Sequence, residues 1–224
     1  MASDIKIDRI IRTKRKTIGL QITDEATLVV KAPFHLKDDA IIEVVNRHRR
    51  WIEKKKREIR SREPKFSKKE FVNGEGFLYL GRNYKLTIVE NQQSPLIFEN
   101  GFFLSKDALS EARQVFINWY KQAAYEKISE RVKFYSQKRG FIYDRVKITN
   151  AEKRWGSCAR RNLNFSWRLI MAPLPVIDYV VVHELVHLEE KNHSKKFWNK
   201  VKLLMPDYEK YKDWLKEKGY MLRL

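Results

Sequence analysis

Apolar and polar residues alternate with a period of two near the start of the chain, where Ile18, Leu20 and Ile22 are interleaved with Gly19 and Gln21. That is the pattern of a half-buried strand. IDRIIRTKRKTIGLQIT and the following ATLVVKAP read as two strands around a turn at Asp24-Glu25, with Pro33 closing the second. The period then lengthens. Ile41, Val44, Val45, His48, Trp51 and Ile52 recur at three- and four-residue spacing, which predicts a helix from Asp38 to Arg60. Its other faces carry Arg47, Arg49, Arg50, Lys54, Lys55, Lys56, Arg57 and Arg60, a solvated face or a surface for an anionic partner. Ser61 to Ser67, with Pro64, is a polar connection. Short β-type runs follow at Phe77–Leu80, Tyr84–Val89, Leu96–Phe98 and Phe102–Leu104. Turn signals at Gly81-Arg82-Asn83 and at the hairpin-favouring pair Asn100-Gly101 separate them.

The pattern changes again near Asp107. From there to Lys138 the sequence is helical, with Ala108, Ala112, Val115, Phe116, Trp119, Tyr120, Ala123, Ile128 and Val132 as inward positions and Gly140 as the stop. Arg145–Thr149 reads as a strand, RWGSCARRN as a turn-rich loop and LNFSWRLIMA as a second strand. Pro175 suits the first turn of a helix over Val176–Glu190; helices follow at Ser194–Leu204 and after Pro206. The expected class is α+β. A β-rich module with one basic helix (1–105) precedes a mainly helical catalytic domain with a small sheet (106–224).

Composition narrows the setting. A hydrophobic fraction of 43% with 28 aromatic residues (six Trp, ten Tyr, twelve Phe) belongs to a folded protein. Cys158 is the only cysteine, so no internal disulfide framework exists. No apolar run approaches the ~20 residues that span a bilayer, and MASDIKIDRIIRTKRK lacks the apolar core of a secretory signal. A cytoplasmic protein without membrane contact is expected. Lys and Arg number 47 against 28 Asp and Glu, a net charge of +19. Such a field favours anionic partners, nucleotides or nucleic acid among them, although solubility alone also accounts for it.

The candidate chemistry sits in HELVHLEEKNH, residues 183 to 193, which holds three of the five histidines. His183 and His187 lie one helical turn apart on one face and can grip one metal ion. Glu184 is rotated by roughly 100° about the axis, so it can reach a water activated by the metal without itself ligating. The flanks Ile177, Tyr179–Val182, Leu185, Val186 and Leu188 are almost wholly apolar, so the helix is expected to be buried. Two histidines and a glutamate inside a buried helix are costly unless satisfied, and a cation would satisfy them. Three protein ligands and an open position make a catalytic zinc site. Glu190 lies a further turn along and could ligate only with strain. Asn192 tolerates the left-handed conformation that ends a helix, which would let His193 fold back as third ligand. Glu209 is the rival, and His193 is favoured. Zinc would acidify the water, Glu184 would act as general base, and the reaction class is hydrolysis. Arg154, Arg168 and the tyrosines are candidate oxyanion helpers. His35 and His48 read as ordinary structural histidines, and Phe197 and Trp198 as packing beneath the site. Cys158 is unneeded as a nucleophile.

RWGSCARRNLNFSWRLIMAPLPVIDYVVVHELVHLEEKNHSKKFW, with PDYEKYKDWL after it, resembles the YgjP-like metal-dependent hydrolases, relatives of the SprT-like zinc peptidases. KRKTIGLQI, VVKAP and WIEKK extend the resemblance over most of the chain. It implies a zincin-type domain with metal ligands His183, His187 and His193 and the base Glu184. Glu190 stands where metzincins have their turn glycine, so the chain departs from that group. In the loop Arg154–Cys158, Gly156 either allows close backbone approach in the cleft or belongs to a packed turn. The strand Asn164–Ile170 is the expected edge against which an extended peptide aligns. The leading expectation is a zinc metallopeptidase acting on peptide or protein. The alternatives are a metal-dependent nucleoside triphosphate pyrophosphohydrolase and a DNA-associated protease docked through the basic module. A metal-stabilised binding module is disfavoured, because a structural site needs no base.

Overall fold

The computed structural model describes residues 5–23, 25–61 and 69–224. Asp24, half of the expected turn, and all of the Pro64 connection except Ser61 lie outside the described residues. The chain divides into two compact units, Met1–Ser67 and Lys68–Leu224, and its class is α+β.

In the first unit the expected leading strand is two, β1 (Arg9–Thr13) and β2 (Gly19–Ile22), both paired with β3 (Leu28–Pro33) in the order β1-β3-β2. The polar run Lys14–Thr17 has no apolar face to bury, so the chain leaves the sheet there and Arg15 packs over Gly19. β1 runs parallel to β3 and β2 antiparallel to it, which puts β3 in the centre with Leu28, Val30 and Ala32 buried. They pack against Ile41, Val45 and Ile52. The basic helix is also broken, into α1 (Asp38–Arg47) and α2 (Arg49–Arg60). The break falls at His48, whose backbone turns to φ −99°, ψ 13°; its amide still donates to the Val44 carbonyl at 3.2 Å, and its Nδ1 lies 2.8 Å from the same oxygen.

The second unit contains two sheets around one core. β4 (Gly76–Tyr79), β5 (Arg82–Val89), β6 (Leu96–Phe98) and β7 (Phe102–Ser105) form a sheet of order β4-β5-β7-β6. Both turn signals hold: Gly81 (φ 79°) and Asn100 (φ 57°) adopt the left-handed conformation that their hairpins require. A 3-10 turn leads into α3 (Ala112–Arg139), which buries Ala112, Phe116, Tyr120, Ala124, Ile128 and Val132 at four-residue spacing and stops at Gly140 (φ 69°). Phe77 and Phe102 pack on Phe116, and the Tyr120 hydroxyl donates to the Leu78 carbonyl at 2.8 Å. The expected module boundary at 105/106 therefore falls within a single core, because the strands before it bury their aromatic faces on the helix after it.

β8 (Arg145–Thr149), β9 (Gly156–Ala159) and β10 (Asn162–Ser166) form the second sheet, of order β8-β10-β9. Part of the expected loop is thus the strand β9, and the expected long strand ends at Ser166, where Trp167–Met171 becomes a 3-10 turn. α4 (Leu174–Val186), α5 (Lys195–Leu204) and α6 (Tyr208–Lys218) complete the unit. α4 is buried on nearly every side, as its apolar flanks predict. Among the described residues no helix is long and apolar enough to cross a membrane.

Candidate metal centre

α4 ends four residues short of its expected stop. His187 is its C-cap, and the chain tightens through bonds from Leu188 N–H to the Leu185 carbonyl and from Glu189 N–H to the Val186 carbonyl. The bond from His187 N–H to the His183 carbonyl, 3.3 Å, still keeps the two imidazoles one turn apart. Lys191 closes the helix by donating to the His187 and Leu188 carbonyls. The reversal uses no left-handed residue: Asn192 is absent from the residues of positive φ, contrary to expectation. Glu190 is held by Lys196 and Lys200, at 3.0 and 2.7 Å, which also tie the turn to α5. Hydrogen bonds from those two ammonium groups keep its carboxyl below the usual range.

The fold brings His193 back to the other two histidines. The three Nε2 atoms form a nearly equilateral triangle with edges of 3.2 Å (183–187), 3.1 Å (187–193) and 3.0 Å (183–193). Tetrahedral zinc with Zn–N bonds of about 2.0–2.1 Å separates its ligand nitrogens by about 3.3–3.4 Å. A triangle of this size would suit three imidazole ligands of one such ion. His187 Nδ1 is 2.9 Å from the Glu190 carbonyl oxygen, to which it donates, leaving its Nε2 lone pair free towards the centre. Burial first, then the neighbouring imidazoles, lowers the His183 pKa to about 3, so that ring is held as a neutral donor, and burial lowers the His193 pKa as well. His183 Nδ1 and Glu184 Oε2 are buried without hydrogen-bond partners. The donor set therefore fits a metal of the zinc type, and the three histidines are the cluster of potential ligands found among the described residues. Glu209 stands outside it, accepting a 3.3 Å bond from the Tyr208 hydroxyl.

Phe197, fully buried, floors the site, with its ring 4.9, 4.5 and 4.8 Å from those of His183, His187 and His193. Trp198 stacks on His193 at 5.7 Å and on Tyr208 at 5.2 Å. The Ser194 hydroxyl accepts from Phe197 N–H and caps α5.

Glu184 points into a cavity of about 330 Å³ lined also by His183, Tyr179, Trp155 and Gly156. Burial pushes its pKa up to about 8, against the pull of Arg154 and of a hydrogen bond from the Cys158 amide. Gly156 does make a close approach: a Cβ there would lie 2.5 Å from Glu184 Oε1 and 2.7 Å from its Cγ. Since the Cys158 amide is spent on Glu184, it is not directed at β10. β10 is moreover the central strand, between β8 and β9, so the expected edge at Asn164–Ile170 is not an edge; the outer strands of this sheet are β8 and β9. Arg168 is taken up elsewhere, donating to the Asn150 carbonyl and to Glu152, whereas Arg154 and Tyr179 line the cavities beside Glu184. Burial raises the Cys158 thiol, which keeps it protonated.

Asp178, one and a half turns before His183, is a residue that sequence reasoning missed. Arg131 grips both its oxygens, at 2.6 and 2.9 Å, and the Tyr135 hydroxyl adds a 3.2 Å bond. The signal was present as the one carboxylate in an otherwise apolar half-helix.

A family model described as YgjP-like, metallopeptidase domain, matches residues 16–218. Among solved structures, the crystal structure of the metallopeptidase zymogen of Pyrococcus abyssi abylysin matches at 16% identity and a TM-score of 0.38, over 41% of this chain and 95% of that one. No curated protein matches.

Proposed function

Because the chain belongs to the YgjP-like metallopeptidase family, we propose that it hydrolyses peptide bonds with one zinc ion held by His183, His187 and His193 and with Glu184 as general base. The observation that carries this reading is the convergence of three Nε2 atoms within 3.2 Å of one another at the end of the helix that supplies the buried Glu184. Zinc supplies Lewis acidity, which acidifies water and polarises a carbonyl. The rest falls to the chain. Glu184 takes the proton from the attacking water at its unpartnered Oε2 and returns it to the leaving amine. Gly156 keeps the space beside the carboxylate free of side chain, and the Cys158 amide fixes its orientation. Tyr179 is kept protonated, its pKa pushed up to about 12 by burial, and can donate to a developing oxyanion. β9, an outer strand, offers a backbone edge for an extended peptide.

Glu184→Gln should lower peptide turnover by about 10²–10⁴-fold while metal content stays at that of the wild type; unchanged turnover would end this reading. His193→Ala should lower metal stoichiometry and Glu209→Ala should leave it intact; the reverse would install Glu209 as third ligand.

Lys212 and Lys216 in the cavity give a second reading, hydrolysis of a nucleoside triphosphate, its observational support. It requires metal-dependent phosphate or pyrophosphate release that Glu184→Gln abolishes. A DNA-associated role draws on Arg50, Lys54 and Arg57, exposed along one side of α2. It requires duplex binding that weakens steeply with salt.

A further inference from the structure

Two cavities meet at Trp155 and Gly156, directly beside Glu184. One, of about 330 Å³, is lined on its α6 side by Lys212 and Lys216. The other, of about 450 Å³, runs over β8–β10 and is lined by Lys147 and Arg154 among neutral polar groups such as Ser157 and Asn164. Glu184 is the only carboxylate lining either cavity. Asp213 acts on Tyr179 from α6 but does not line the space.

Among the described residues none of these four cations makes an ion pair within 4.0 Å, and the one carboxylate that acts on any of them is Glu184, which Arg154 attracts. Lys212 and Lys216 are one helical turn apart, a spacing at which like charges repel. Lys212 is also oriented, with its Nζ 4.3 Å above the Trp198 ring that stacks on His193. An anionic group arriving in either cavity meets unpaired ammonium or guanidinium, and a cationic one is repelled.

We infer that the cleft selects acidic polypeptide: Asp or Glu side chains flanking the scissile bond are held by Lys212 and Lys216 on one side and by Lys147 and Arg154 on the other. The inference rests on the peptidase reading above. A triphosphate would also bring negative charge, but it concentrates that charge at one end. The cations here are divided between two cavities that adjoin at Trp155 and Gly156, one of them lined by Glu184, as an extended chain with charges along its length requires.

The test uses the zinc-loaded full-length protein and a matched peptide series with acidic, amide or basic residues around one cleavable bond. Acidic peptides should exceed basic ones in kcat/KM by about tenfold or more at low salt, and the gap should narrow as salt rises. Lys216→Glu and, separately, Lys147→Glu should each raise KM for acidic peptides with kcat kept, and improve basic ones. Lys216→Gln, with no reversed charge, should give an intermediate KM. Cleavage without charge preference, or a preference that survives both reversals, overturns this inference alone. Failure to cleave any peptide, with Glu184-dependent hydrolysis of triphosphates or without it, overturns the peptidase reading and this inference with it.

Discussion

A methyl group at position 156 would sit 2.5 Å from an oxygen of the proposed base, so Gly156→Ala must displace either β9 or the Glu184 carboxylate. A displacement near 1 Å in a catalytic group costs about 10²-fold in rate. Gly156→Ala is therefore expected to lower kcat on that order while metal content, measured by atomic absorption, stays unchanged; full activity would show that β9 yields without cost. Local sequence placed a glycine next to a tryptophan in a turn-rich stretch but could not say what approached it. The contact is made with a residue 28 positions away, Glu184. Cys158 shows the same division. Its side chain is the visible feature of the sequence, yet its contribution to the site is its backbone amide.

At the scale of elements, α4 is the part on which the centre depends, and two devices hold it. Phe197 of α5 packs under all three imidazoles. On the opposite flank the Asp178–Arg131 fork and the Tyr135 hydroxyl fasten α4 to α3. Asp178→Ala removes the bidentate partner of Arg131, leaving it only the looser contact with Glu130 at 4.0 Å, and should destabilise the fold by about 2 kcal/mol, read from the midpoint of denaturant unfolding. A change below about 0.5 kcal/mol would mean that water replaces the carboxylate without cost. The burial of α4 was legible, since Val180, Val181 and Val182 leave no polar face. Its early end was not, because the i→i−3 bonds after Val186 arise from the pull of Lys191 and the Lys200 bridges. His48 escaped notice for a similar reason: its spacing suits a helix, and the break there shows only in its backbone angles.

For the molecule as a whole, charge and pH act unit by unit. Much of the basic surface of α1 and α2 is internally balanced, with Arg47, Lys55 and Lys56 paired to Glu43, Glu58 and Asp8. The number of lysines and arginines therefore overstates the free positive charge of that unit. Asp8 links β3 to α2: its carboxylate accepts from Leu28 N–H at 2.6 Å and from Lys56 at 3.3 Å. The Leu28 bond, followed by the lysine, holds its pKa below the usual aspartate range. A carboxyl depressed on folding stabilises the fold at and above its unfolded pKa, and that contribution disappears as pH falls through the lower folded value. Protection of the Leu28 amide against hydrogen exchange should accordingly fall in acid, and Asp8→Ala should remove that acid sensitivity together with about 1 kcal/mol of stability. Equal acid sensitivity in the variant would place the responsible group elsewhere.

The sequence by itself determined whatever depends on neighbours a few positions apart. The three-to-four-residue apolar stripe of α3, the left-handed hairpin turns at Gly81 and Asn100, and the one-turn spacing of His183 and His187 are all local consequences of backbone geometry. The return of His193 was within reach as well, because only five residues separate it from His187. Tertiary structure decided the rest. That β10 is central and β9 outer depends on which strands pair across the chain, a sum over many distant contacts that alternation in one strand does not encode. Asp178 meets Arg131 from 47 positions away. Lys147, Arg154, Lys212 and Lys216, scattered through a lysine-rich sequence, come to line two adjoining cavities only because α6 and β9 both pack against α4. Charge counts add along a chain, but a binding field depends on where folding sets those charges and which of them it leaves unpaired.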